Sequence, residues 1–293
     1  MSYRTRSIVA ITLVLFGLGQ RTLGSASNRS LVADQPVPNG QTIDFHLPDQ
    51  TDGSAPLIVL LHGGGDKGNG EMTPLAQTLA DRGAVVAVPM YYSGQPRSQQ
   101  DIEKTFRDVV CSIRYSRSRA AEFGADPNNL TLVGFSYGGY PAMAIRLASE
   151  DSYGFDCLPE ISHAPQSVVG LGGAYKYDAQ VSSRTWNKDC SPFLIDGTSR
   201  PSQVPTVLVH GANDFNVPAE FAERYFRQLD TAGHPVALQI LATRHAELID
   251  PRDPAGRRAV DSIMEAAAGT PAVGRSGPPT TSPYARLMQS DSV

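Results

Sequence analysis

Along this chain, short continuous apolar runs alternate with stretches in which apolar residues recur every three or four positions. That is the pattern of buried strands interleaved with amphipathic helices. The run Leu57-Ile58-Val59-Leu60-Leu61, bounded by Pro56 and by His62 and glycines, predicts a strand covered on both faces and therefore central in its sheet. Further strands are predicted over 85–88, 130–133, 167–171, 206–209 and 236–241, with an edge strand over 42–47. A helix starts at Thr73, read as a hydroxyl cap with Pro74 in the first helical position, and Gly83 closes it. Ile102, Phe106, Val109, Val110 and Ile113 mark a helix over 101–123 that ends at Gly124. Helices over 142–148, 219–229 and 257–268 complete a strand–helix alternation, which implies a mostly parallel central sheet with helices on both faces.

The ends depart from this pattern. Arg4 and Arg6 precede an uncharged apolar run over 8–18, and Gly24, Ser25 and Ala26 follow, so residues 1–26 read as a cleaved export signal. The apolar run is too short for the roughly 20 residues that span a bilayer, so no stable membrane span is expected after cleavage and the protein is expected to be secreted, extracellular or periplasmic. Residues 27–41 read as a flexible lead-in, 42–268 as one catalytic domain, and 269–293, rich in Gly, Pro, Ser and Thr, as a disordered tail. The aperiodic stretch 179–203, with Trp186, Cys190 and Pro192, is expected to be a loop or small lid.

A formal net charge of -4 leaves no basic stripe to neutralise phosphates, which excludes nucleic acid as a partner. Three cysteines suit an exported protein. A Cys157–Cys190 bridge with Cys111 unpaired in its helix is the expectation, although sequence does not determine the pairing. No two cysteines or histidines stand at ligand spacing, so no metal is expected. Nothing in the pattern sets the oligomeric state.

The chemistry gathers after the strands. Gly134-Phe135-Ser136-Tyr137-Gly138 lies between an apolar strand and a helix, the context of a sharp nucleophile turn in which flanking glycines relieve crowding. His62-Gly63-Gly64-Gly65 follows the central strand, where backbone N–H groups of Gly64 and Gly65, with that of Tyr137, would form an oxyanion hole worth on the order of 3 kcal/mol per donor. His62 is read as bracing this loop. Asp214 follows the strand at 206–209 and His245 the strand at 236–241, so both reach the edge where Ser136 is expected. A serine hydroxyl needs an imidazole to take its proton and a buried carboxylate to orient that imidazole, so Ser136, His245 and Asp214 form the expected catalytic triad. Glu247 and Asp250 are substitutes for the acid with poorer placement, and His46, His163, His210 and His234 have weaker claims to the base.

These motifs resemble those of the α/β-hydrolase superfamily, in particular the esterases and lipases with a His-Gly-Gly-Gly oxyanion loop in the hormone-sensitive-lipase-like and feruloyl-esterase-like branches. Asp126-Pro127 ahead of the nucleophile strand and Asn213-Asp214-Phe215-Asn216-Val217-Pro218 are similar to family segments, whereas Ala246-Glu247 replaces the Gly-Phe that often follows the base. The resemblance spans roughly residues 56–268 and implies hydrolysis of small-molecule or polymer-linked carboxylic esters through an acyl-enzyme, with no metal or organic cofactor. Esters of polysaccharide-linked acetyl or feruloyl groups, polyesters and peptides are alternative substrates. A non-catalytic secreted binding protein is a further alternative, against which the complete triad counts. Tyr91, Tyr92, Tyr137, Tyr175 and Trp186 read equally as pocket lining and as core.

Overall fold

The apolar runs become strands because their β-branched and leucine side chains can be buried on both faces of a sheet that helices cover from either side. A computed structural model describes residues 30–65, 68–94, 98–147, 156–175, 202–270 and 274–276. In chain order its strands are β1 (Ser30–Pro36), β2 (Thr42–Leu47), β3 (Ala55–Leu61), β4 (Val85–Pro89), β5 (Ala125–Phe135), β6 (Ser167–Leu171), β7 (Thr206–Gly211), β8 (Val236–Leu241) and β9 (Gly274–Ser276). The helices are α1 (Thr73–Asp81), α2 (Gln99–Arg119), α3 (Gly139–Leu147), α4 (Glu220–Thr231) and α5 (Pro254–Ala267). The sheet order is β1-β2-β4-β3-β5-β6-β7-β8-β9, with β2 antiparallel to both its neighbours, β1 and β4, and every other pair parallel.

Residues 57–61 of β3 are fully buried, and alternate side chains along the strands serve two cores. Leu57, Val59, Leu130 and Leu132 pack with α2, α3 and α4, whereas Ile58, Leu60, Val133 and Val169 pack with α1 and α5. Burying one such side chain contributes about 1.5–3 kcal/mol. The central placement of β3 and the mostly parallel sheet agree with the sequence reading.

Four expectations are corrected. The lead-in is not free: β1 pairs antiparallel with β2, so β2 is covered rather than an edge. The expected disordered tail contributes β9, a short strand paired parallel with β8. Both strands are mainly exposed and are held by ladder hydrogen bonds, which leave no apolar signature. Thr73 is the first residue of α1 rather than its cap, since Met72 takes the cap position without a side-chain bond. The disulfide joins Cys111 of α2 to Cys157, with Cα atoms 5.4 Å apart. Arg114 and Arg117 of α2 donate to the carbonyls of Cys157 (3.2 Å) and Ala164 (2.7 Å), docking that segment on the helix. Residues 1–26, Trp186, Cys190 and nearly all of the expected lid lie outside the described residues.

Candidate active site

The turn after β5 is too tight for ordinary residues. Ser136 has φ 51°, in the left-handed region that costs an L-residue roughly 1–2 kcal/mol. A Cβ on Gly134 would stand 2.2 Å from the Gly138 carbonyl oxygen, and one on Gly138 would stand 2.7 Å from that of His62. Glycine is therefore required on both sides of the serine. The turn leads through a single 3-10 turn, Ser136–Gly138, directly into α3. The N–H of Tyr137 thus belongs to the opening turn of a helix, where amides have no acceptor within the helix and the dipole favours negative charge. Ser136 itself is partly exposed at the carboxyl edge of the sheet.

Asp214 sits in the turn beyond β7 and is 3% exposed. Its Oδ1 accepts the N–H groups of Asn216 (2.9 Å) and Val217 (2.8 Å), closing the turn on its own side chain. Its Oδ2 accepts Nδ1–H of His245 at 2.6 Å, and Nε2 of His210 stands 3.4 Å from the same oxygen. Burial pushes the Asp214 carboxyl up, but the contacts from His210 and His245 outweigh it and hold the group well below the usual carboxylate range. Because Nδ1 of His245 faces a carboxylate it carries the proton, which leaves Nε2 as the acceptor. The His245 ring packs on Phe135, the residue before Ser136, with centroids 4.8 Å apart. Asp214, His245 and the turn that carries Ser136 are thereby brought to one corner of the sheet edge.

Gly172, just beyond β6, completes this corner and was not foreseen from sequence. Its φ is 53°, and a Cβ there would meet Nδ1 of His245 at 3.1 Å and Oδ2 of Asp214 at 3.3 Å. A lone Gly-Gly after a strand carries too little pattern to reveal this. Glu71 was also missed: its carboxylate accepts the N–H of Gly63 at 2.8 Å and pins the glycine loop from below.

The loop itself corrects one expectation. The N–H of Gly65 donates to the Ser93 carbonyl at 3.2 Å, so it is turned to the loop after β4 and away from an oxyanion role. Gly64 lies between the two pinned amides, and a Cβ on it would touch both the Ser93 oxygen and the Tyr137 Cβ at 3.3 Å. Gly64 and Tyr137, from different strands, therefore stand side by side. His62 braces the loop as expected: its Nδ1 bonds the Gly63 carbonyl at 2.8 Å, and Tyr91 donates its hydroxyl to the His62 carbonyl.

The rival acids are engaged elsewhere, Asp250 with Arg252 and Glu247 with Arg244. The tyrosines divide toward structure. Tyr137 reaches Thr105 at 3.0 Å, and the buried Tyr175 stacks on Tyr225 with centroids 5.5 Å apart. Among the described residues, no group of histidine, cysteine and acidic side chains is arranged to hold a metal ion, and no helix is long and apolar enough to cross a membrane.

With this geometry in view, the comparisons with known proteins converge on one class. A family model described as BD-FAE matches residues 43–165. The chain is 25% identical over 234 residues to a probable isoprenylcysteine alpha-carbonyl methylesterase of Arabidopsis thaliana, covering 70% of this chain and 48% of that one. It is 27% identical over 221 residues to the probable carboxylic ester hydrolase LipM of Mycobacterium tuberculosis, covering 66% and 50%. The chain thus spans about half the length of these curated relatives. Esterase 2 of Thermogutta terrifontis superposes with a TM-score of 0.63 at 18% identity, covering 87% of this chain and 99% of the other. The fold is that of the α/β-hydrolases.

Proposed function

We propose that this chain is a serine hydrolase that cleaves carboxylic esters through an acyl-enzyme. Ser136 Oγ attacks the ester carbonyl while Nε2 of His245 takes its proton, and Asp214 stabilises the imidazolium that forms. The N–H groups of Tyr137 and Gly64 receive the oxyanion of the tetrahedral intermediate. Collapse expels the alcohol, protonated by His245. Water, deprotonated by the same imidazole, then attacks the acyl-enzyme and releases the acid. The observation that carries this reading is the buried 2.6 Å bond from His245 to Asp214 in a corner where the His245 ring packs on the residue preceding Ser136. The names of the relatives, a methylesterase and a carboxylic ester hydrolase, support the ester class.

We further infer, from the apolar leader pattern, that the protein is exported and released from residues 1–26. The Cys111–Cys157 disulfide supports an oxidising compartment, since such bonds are rare where thiols are kept reduced. Hydrolysis of a p-nitrophenyl ester series from acetate to palmitate tests the activity. Turnover of any member at rates well above buffer supports it, and inertness toward the whole series counts against it. The mass of the protein recovered from an expressing culture tests export: a mature chain starting near residue 27 is expected, and an intact leader would contradict it.

A further inference from the structure

His210 is the penultimate residue of β7, four residues before the acid, and its side chain is wholly buried. Its Nε2 stands 2.8 Å from the carbonyl oxygen of Val217 and 3.4 Å from Oδ2 of Asp214. Both are acceptors, so Nε2 carries the proton. Its N–H is directed mainly to Val217, and the carboxylate receives the longer arm. Val217 in turn gives its own N–H to Oδ1 of Asp214 at 2.8 Å. The imidazole therefore spans the acid turn, one arm on the backbone that grips Oδ1 and the other on the oxygen that grips His245. Nδ1 of His210 is buried without a hydrogen-bond partner, and its ring lies in a T-shaped arrangement with Tyr175, centroids 6.3 Å apart at 69°. Tyr175 is the titratable neighbour on that side, and burial raises its hydroxyl pKa, so it stays neutral across the working range.

We propose that His210 is a positioning residue for the acid, whose N–H holds the carboxylate of Asp214 in line with Nδ1 of His245 and tempers its pull on the imidazolium. This rests on the triad reading above. A backbone-braced second donor has a definite consequence: without it, Oδ2 offers its full charge to His245, the protonated imidazole is favoured, and the base is switched off at a higher pH. A merely structural histidine would change stability and leave that pH unmoved.

The test is the pH profile of kcat/KM on a p-nitrophenyl ester for wild type, His210→Gln and His210→Phe. Glutamine can place its side-chain N–H near the Nε2 position, whereas phenylalanine fills the space with no donor. The Phe variant is expected to lose roughly tenfold in kcat and to move its acid limb up by about half a pH unit, the equivalent of one ordinary hydrogen bond. The Gln variant is expected to stay near the wild-type limb. An active Phe variant with an unmoved limb overturns the proposal while leaving the triad in place. Absence of turnover in wild type would instead strike the esterase reading. Should the Phe variant fail to fold, 15N NMR of wild-type His210 decides: protonated Nε2 is expected, and protonated Nδ1 would remove the donor on which the proposal stands.

Discussion

The turn that carries Ser136 and the corner formed by Asp214 and His245 lie at the same sheet edge and are held by opposite means. Ser136 is placed by exclusion: a strained φ of 51° persists because Gly134 and Gly138 let backbone atoms approach where any side chain would collide. Asp214 and His245 are placed by attraction, through hydrogen bonds that converge on one carboxylate from its own turn and from the loop after β8, with Nε2 of His210 a further 3.4 Å contact. The first device is local in sequence and sensitive to single atoms of bulk. The second is distributed over several segments and sensitive to charge and protonation.

Substitutions at the two regions should therefore fail in different ways. The largest effect is expected from Asp214→Asn, which keeps the shape but removes the charge that fixes the His245 tautomer. A fall in kcat of about 10⁴ is predicted, with an unchanged circular dichroism spectrum. A loss of less than tenfold would contradict the assigned acid. Gly134→Ala should fail by bulk instead: with a Cβ 2.2 Å from the Gly138 oxygen, a cost of about 3 kcal/mol or more in urea unfolding is expected, together with lost activity. Wild-type stability in that variant would show the turn to be roomier than described.

Smaller effects sharpen the contrast. Glu71→Ala frees the N–H of Gly63 and loosens the oxyanion loop, so kcat should fall about tenfold with KM little changed. A change confined to KM would assign Glu71 to substrate binding instead. The smallest effect concerns acid stability. A carboxyl whose folded pKa is depressed contributes stability that is complete above its unfolded pKa of about 3.9 and is lost as pH falls below that value toward the folded one. Asp214 is such a group. The wild type should therefore show a steeper decline in thermal stability below about pH 4 than Asp214→Asn. Parallel curves would show that its contacts do not depress it.

This contrast also explains what the sequence made legible. The serine turn could be read at once because its steric requirements fall on adjacent residues, Gly134, Ser136 and Gly138. The strands at 57–61, 167–171 and 236–241 were equally plain, since continuous burial leaves continuous apolar runs. Asp214 and His245 could be assigned from their places after strands, but Gly172 meets partners far along the chain, and His210 and Glu71 contact atoms four to eight residues away at spacings that match no motif. For the same reason Gly65 was misjudged: its acceptor, Ser93, comes from the loop after β4. β1, β9 and the Cys111–Cys157 pairing depend on backbone ladders and docking contacts rather than on apolar period.

The central claim is that Ser136 is an activated nucleophile at a corner where acid and base converge. Incubation with a fluorophosphonate, followed by intact-mass and peptide-mapping spectrometry, tests it most directly. The account predicts one adduct per chain, on Ser136, formed in parallel with loss of ester hydrolysis and absent in Ser136→Ala. An unlabelled Ser136 in a folded, ester-hydrolysing protein, or an adduct on another residue that tracks the loss of activity, would contradict it.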